Sequence, residues 1–355
     1  MSYFRPAIDV MTGYTPGEQP KPDTPFIKLN TNENPYPPSP KAVEVLRHLD
    51  PEWLRRYPNA YAQDFRQAVS EVLDVPADWV MVGNGSDELL NVIIRAVTEG
   101  KHRRLVYPTP TYTLYRVLAA IQPTEVIEIP YPEDFTLPVD ALVAAPAAIT
   151  FIASPNSPTG HVVPLDSLRA LAQQTAGLVV VDEAYIDFAD GPATALPLVR
   201  ELKNVMVLRT MSKGYSLAGL RLGFAVANPD LLSGLFKVKD SYNVDAIATL
   251  VGTAAMFDQP YKNACAEKVR QSRKQLKTAL TTLGFKVLPS QGNFVLATPP
   301  HQPAEQLCQQ LKEQHILVRY FNQPRLDDKI RITVGTQTQQ QKLITLMGDL
   351  LSSTP

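Results

Sequence analysis

Three short segments carry side chains that could do chemistry together, and each follows an apolar run. Ser154-Pro155-Asn156-Ser157-Pro158-Thr159-Gly160 offers an amide, Asp182-Glu183-Ala184-Tyr185 two carboxylates and a phenol, and Arg209-Thr210-Met211-Ser212-Lys213-Gly214 an amine among hydroxyls. A lysine in such a crevice, partly desolvated and with a cation such as Arg221 near it in sequence, becomes a usable amine nucleophile. The forked guanidinium of Arg221 suits a phosphate. A fourth segment, Gly83-Asn84-Gly85-Ser86-Asp87-Glu88, follows a strand-like run and opens a helix, where free N–H groups and the helix dipole attract an anion. Read as structure alone, it is a capped helix start with Ser86 as N-cap and Asp87 and Glu88 in the first turn.

These pieces suit some ligands and exclude others. Glu88 stands where a dinucleotide fingerprint needs its third glycine, so nicotinamide dinucleotides are not expected. Asp182 and Glu183 have no His or Cys beside them, so no metal is expected either. One molecule would use every piece. Pyridoxal 5′-phosphate has an aldehyde for Lys213, a ring nitrogen for Asp182 and a ring oxygen for Tyr185 and Asn156. Its phosphate suits Gly85, Ser86, Ser212 and Arg221.

The elements that must position these residues follow from periodicity. Trp79 to Val82, Leu105 to Tyr107, Val126 to Ile129, Ile149 to Ile152, Leu178 to Val181, Val205 to Leu208 and Leu222 to Ala227 read as strands. Several lack polar alternation and should be buried on both faces. Helical stretches over Asp87 to Thr98, Tyr112 to Ala120 and Leu165 to Gln174 lie between them, which predicts an α/β fold with a mostly parallel sheet. Open sheets of this kind bind ligands at the C-terminal ends of their strands, where the reactive segments fall. After about residue 228 the order changes to helices over Asp245 to Phe257 and Ala264 to Leu283, then short strands and two more helices, an α+β unit. The expected division is an arm over 1–38, a large domain over 39–240 and a small domain over 241–355. Nine of the 32 prolines fall in the first forty positions, which blocks helix and central strand there. Ser39 and Pro40 then start the first helix as N-cap and N1.

Composition narrows the function classes. The 355 residues carry 34 basic and 35 acidic side chains, for a net charge of -1. That balance gives no general attraction to nucleic acid or anionic lipid, leaving small-molecule chemistry. Cys265 and Cys308 form neither a disulfide framework nor a metal motif, and no stretch has signal-peptide or membrane-span character, so a cytoplasmic location is expected. The five histidines, His48, His102, His161, His301 and His315, fall outside every motif and receive no role.

In these segments, and in Asn30-Thr31-Asn32-Glu33-Asn34-Pro35, Arg56-Tyr57-Pro58, Ala218-Gly219-Leu220-Arg221, Gly292-Asn293-Phe294, Val318-Arg319 and Arg331-Ile332-Thr333-Val334-Gly335, the chain resembles the fold-type-I pyridoxal-phosphate aminotransferases. Within them it is most similar to the branch that acts on histidinol phosphate. The resemblance runs close to full length. It implies a seven-stranded sheet sandwiched by helices and a ping-pong exchange of an amino group between histidinol phosphate and 2-oxoglutarate, which leaves as glutamate. It implies Lys213 as the lysine bonded to the cofactor, Asp182 on the ring nitrogen, Tyr185 and Asn156 on the ring oxygen, and Tyr112 stacked on the ring. Ser86, Asp87, Thr210, Ser212 and Arg221 would hold the cofactor phosphate. Tyr57 would reach the phosphate of a neighbouring subunit, so a homodimer with shared sites is implied. Tyr14, Arg319 and Arg331 match the positions that take the substrate anions. Asn59 and Ser157 depart from the commonest family residues. Aromatic-amino-acid aminotransferases and threonine-phosphate decarboxylase share most of these motifs, although Ala218 stands where the decarboxylase typically has proline.

Overall fold

All seven apolar runs become strands of one sheet. A computed structural model describes residues 2–21 and 24–352. After β1 (Ile27–Lys28) in the arm come β2 (Val80–Gly83), β3 (Leu105–Thr109), β4 (Val126–Pro130), β5 (Ile149–Ala153), β6 (Leu178–Asp182), β7 (Val205–Thr210) and β8 (Gly223–Ala227). Their order is β2-β8-β7-β6-β5-β3-β4. Only β8 runs against its neighbours, β2 and β7; the other pairings are parallel.

Burial explains why these runs lack polar alternation. Every residue of β5, β6 and β8 is buried, because helices cover both faces of the sheet. Val179 and Val181 point into one core with Phe65, Leu168 and Phe224, while Leu178 and Val180 point into the other with Leu90, Ile93 and Tyr115. Each such side chain contributes about 1.5–3 kcal/mol relative to exposure. β4 lies at one edge of the sheet, and its residues are half-exposed or exposed.

A third core lies under a four-stranded antiparallel sheet of β9 (Lys286–Val287), β10 (Phe294–Thr298), β12 (Arg319–Tyr320) and β13 (Ile330–Thr333), in the order β12-β13-β10-β9. β11 (Ile316–Leu317) pairs in parallel with β1 of the arm. The arm is therefore built into this unit: Leu29 is buried in its core beside Ile332 and Val334, and the Thr333 N–H donates to the Leu29 carbonyl. Helix Gln259–Thr282 covers the same core through Val269, Leu276 and Leu280. Helix Ala246–Met256 lies beyond the expected break at 240/241, yet Ala248, Val251 and Met256 pack into the core that holds Phe65 and Leu222.

The first long helix begins as expected, with Ser39 Oγ accepting from the Lys41 N–H and Pro40 at N1. The helix Gly85–Val97 starts earlier than the capped-start expectation. Asn84, not Ser86, is its N-cap, and Glu88 reaches back to accept the Asn84 N–H at 2.5 Å. That leaves the Ser86 hydroxyl free of a capping duty. No helix among the described residues is long and apolar enough to cross a membrane.

Candidate active site

A cavity of about 320 Å³ opens where β5, β6 and β7 end, roofed by the arm and by β12 and β13. This is the crevice at the carboxyl ends of the strands that parallel sheets provide. Most of the site residues expected from sequence meet here.

Asp182, the last residue of β6, forms the floor and is 5% exposed. Burial raises its pKa to about 6, opposed by the Tyr115 hydroxyl donating to Oδ2 at 2.8 Å and the Ala184 N–H donating to Oδ1 at 3.2 Å. A carboxylate held there is suited to a cation or a ring N–H. Tyr185 stands one turn on, its ring edge-on to Phe294 at 5.1 Å between centroids. Its hydroxyl oxygen accepts from Asn32 Nδ2 at 3.0 Å.

Lys213 follows β7 and enters from the opposite wall. Its Nζ donates to the Thr31 carbonyl at 3.1 Å and lies 5.7 Å from the centroid of the Tyr185 ring. The arm also fixes the lysine's own backbone, since Asn34 Nδ2 donates to the Lys213 carbonyl at 3.0 Å.

One end of the cavity is a cup of hydroxyl groups and a guanidinium at a helix start. Ser86 and Asp87 stand in the first turn of helix Gly85–Val97, facing Thr210, Ser212 and Arg221. Thr210 Oγ1 donates to Ser212 Oγ at 3.0 Å, and Arg221 Nη1 lies 3.4 Å from the same oxygen. Arg221 Nη2 pairs with Asp87 Oδ2 at 3.2 Å, which offsets a carboxylate that would otherwise repel an anion. Gly85 has φ +78, and a Cβ there would meet Arg221 Nη2 at 2.7 Å. Glycine therefore lets the guanidinium lie against the helix start. Tyr112 covers the cup, donating to Asp87 Oδ1 at 3.2 Å; burial first, and Asp87 second, push its phenol well above the ordinary range.

The other end carries two arginines. Arg319 donates to the carbonyls of Thr15 and Pro16 at 3.3 and 3.4 Å, which draws the arm across the cavity beside Tyr14. Arg331 donates to the Asn30 carbonyl at 2.9 Å and to Ser157 Oγ at 3.0 Å, while its Nε is buried without a partner. Tyr14 packs edge-on against Tyr112 at 6.3 Å.

Three expected residues, Gly85, Asn156 and Tyr57, are not on this wall. Asn156 is fully buried behind it, donating to the Pro110 carbonyl at 3.1 Å and Thr159 Oγ1 at 2.7 Å and accepting from Thr111 Oγ1 at 2.7 Å. Thr111, not Asn156, reaches the cavity. Tyr57 lies outside the cavity, 81% exposed and stacked on Tyr242 at 4.6 Å. Conversely, Thr31, Asn32 and Tyr115 hold Lys213, Tyr185 and Asp182 directly, and sequence gave them no role in the site. The Asn-rich turn was the available signal for Asn32; Tyr115 has the pattern of any core tyrosine.

Comparison with known proteins follows the same lines. Residues 24–346 match the family described as aminotransferase class I and II. The chain is 58% identical over 350 residues to histidinol-phosphate aminotransferase 1 of Trichormus variabilis, covering 99% of each chain. It is 42% identical to histidinol-phosphate aminotransferase of Geobacter sulfurreducens, over 98% of this chain and 99% of that one. In structure it is similar to histidinol-phosphate aminotransferase of Sinorhizobium meliloti, solved in complex with pyridoxal 5′-phosphate, with a TM-score of 0.90, 24% identity and coverage of 100% and 99%. That last likeness bears on the fold.

Proposed function

The chain belongs to the class I and II aminotransferases, and we propose that it exchanges an amino group between L-histidinol phosphate and 2-oxoglutarate, in histidine biosynthesis. The products are imidazole-acetol phosphate and L-glutamate, and the cofactor is pyridoxal 5′-phosphate. The observation that carries this reading is the order of groups along one cavity: the cup of hydroxyls and a guanidinium, a buried carboxylate and a lysine amine, then a pair of arginines. The cup, with Gly85 leaving room for Arg221, fits the cofactor phosphate, and the Asp182 carboxylate fits its ring nitrogen.

Bound pyridoxal 5′-phosphate supplies an electron sink for the carbanion left when the substrate gives up its Cα proton. The protein's own residues do the rest. Ser86, Ser212, Thr210 and Arg221 would hold the phosphate. Asp182 keeps a proton on the ring nitrogen, and the water-poor floor strengthens that pairing. Lys213 Nζ is the amine that would hold the cofactor's aldehyde end and, when free, would move the proton of the substrate Cα. Tyr185 adjusts the ring oxygen, with Asn156 behind Thr111 in support. Tyr112 covers the ring. Arg319, Arg331 and Tyr14 take the far anion, a phosphate in one half-reaction and a carboxylate in the other, and forked guanidinium groups suit both.

The working unit of this reading is a cytoplasmic homodimer. Trp53, Leu54, Tyr57, Tyr61 and Tyr242 are exposed, and exposed apolar side chains of this kind suit an interface with a second copy. A second copy placed there brings Tyr57 toward its partner's cup. Mass measured at micromolar concentration should give twice the chain mass.

The test is direct. Purified protein should show a visible absorption band that borohydride removes, and Lys213→Ala should lose both band and turnover. Rates with histidinol phosphate should exceed those with phenylalanine by a wide margin; the reverse order overturns the substrate assignment.

A further inference from the structure

The turn at Thr31 and Asn32 touches both reactive side chains of the cavity. Asn32 has φ +56, the left-handed region that asparagine tolerates better than most residues, and is 1% exposed. This backbone sends the Thr31 carbonyl to Lys213 Nζ at 3.1 Å and Asn32 Nδ2 to the Tyr185 hydroxyl at 3.0 Å. The small domain holds the turn from the other side. The Asn32 N–H donates to Thr333 Oγ1 at 3.0 Å, the Thr333 hydroxyl donates to Asn32 Oδ1 at 3.1 Å, and Asn293 Nδ2 donates to the Asn32 carbonyl at 2.9 Å.

In this arrangement the amide oxygen faces Thr333 and its nitrogen faces Tyr185. An amide nitrogen only donates, so the phenol oxygen accepts there and its own hydrogen points elsewhere. Among the described residues no acceptor for that hydrogen is found, and the cavity lies beside it. We infer that Asn32 is a positioning residue for the reaction, turning the Tyr185 hydrogen into the cavity and onto the ring oxygen of bound cofactor. The inference rests on the functional reading above, in which Tyr185 faces that oxygen. It also makes the small domain, through Thr333 and Asn293, a contributor to the cofactor's electronic state.

The test reads the pH midpoint of the holoenzyme's visible band. A hydrogen bond donated to the ring oxygen draws negative charge from the neighbouring nitrogen and lowers that midpoint, so weakening it raises the midpoint. Asn32→Gly accepts the positive φ and removes only the amide; it should raise the midpoint by about 0.5–1 pH unit. Asn32→Asp keeps the shape but accepts the phenol hydrogen instead, and should raise it further. In a Tyr185→Phe background Asn32→Gly should not move the midpoint, because the group the amide orients is gone. A midpoint that ignores both Asn32 variants, or that shifts equally without the Tyr185 hydroxyl, overturns the inference. A wild-type protein with no borohydride-sensitive band overturns the functional reading itself, and this inference with it. If the glycine variant does not fold, Asn32→Ala, which also removes the amide and adds no charge, is read in its place.

Discussion

Arg319 and Arg331 are direct register partners across the antiparallel pair β12 and β13, so both guanidinium groups leave the same face of the small sheet and enter the cavity. Like charges placed opposite each other are unfavourable. Burial adds to this by lowering the pKa of Arg331, with Arg319 among the further causes. A dianion between the two relieves the repulsion, which suits a site that takes a phosphate and a carboxylate in turn.

Replacing either arginine by alanine should therefore raise KM for both anionic substrates. A hydrogen bond to a charged group is worth about 1.5–3 kcal/mol, or roughly 10–100-fold per arginine. The visible band should be unchanged, because neither residue belongs to the phosphate cup. Steady-state kinetics with histidinol phosphate and with glutamate check this. A KM effect confined to one substrate would mean that the two anions use different residues.

Tyr115 should set the acid limit of the reaction through its bond to Asp182. Its hydroxyl is one of two donors that oppose the burial raising Asp182 to about 6. Tyr115→Phe removes that donor, so the carboxyl should titrate higher by about 0.5–1 unit. Asp182 must be ionised to hold a protonated ring nitrogen, so the acid limb of kcat/KM should move up by the same amount, with little change at pH 8. Asp182→Asn should cost about 10²-fold or more in kcat at every pH. For the cofactor-free protein the sign is opposite. A raised carboxyl pKa contributes stability that is present below 3.8, its ordinary value, and is lost as pH rises through about 6.

How much of this was legible in the residues depended on range. Ile149–Ala153 and Leu178–Asp182 announce themselves as strands because burial on both faces removes polar alternation, and the reactive motifs sit at their ends. Helix Ala246–Met256 could not be placed, since its packing partners Phe65 and Leu222 are remote in sequence. Asn156 shows the same limit at the site. Its motif fixes the residue type, but a contact from Thr111 decides that it stands behind the wall. The histidines illustrate it again, because His161 is set by ring packing that no local pattern reveals.

His161 should make the protein acid-sensitive. Its Nδ1 lies 2.7 Å from Thr159 Oγ1, the oxygen that accepts from Asn156, and its ring stacks on Phe135 and meets Tyr131 edge-on. Burial lowers its pKa from 6.5 to about 4. Between those values the unfolded chain takes up a proton that the folded chain refuses, so stability falls as pH drops from 6.5 towards 4 and levels off below. His161→Phe keeps the ring packing and removes the titration. Its thermal midpoint should fall less than that of wild type between pH 7 and pH 5, while at pH 7 it should be lower, because Thr159 loses one of its two partners. Parallel slopes for the two proteins would show that the acid sensitivity lies elsewhere.

Gly85 should be the most sensitive position for cofactor retention. Alanine there would have to hold φ +78 and place its Cβ 2.7 Å from Arg221 Nη2. The backbone cost alone is about 1–2 kcal/mol. Most of the remaining effect should fall on Arg221, which must swing away from Ser212 and Asp87 and so leave the cup. Losing one charge-assisted contact to the phosphate weakens cofactor binding by roughly 10–100-fold. Gly85→Ala should therefore purify partly colourless, regain the visible band when excess pyridoxal 5′-phosphate is added, and then turn over at close to the wild-type kcat. Titrating the cofactor-free variant and wild type with pyridoxal 5′-phosphate measures the shift. Equal affinities would mean that Arg221 does not hold the phosphate.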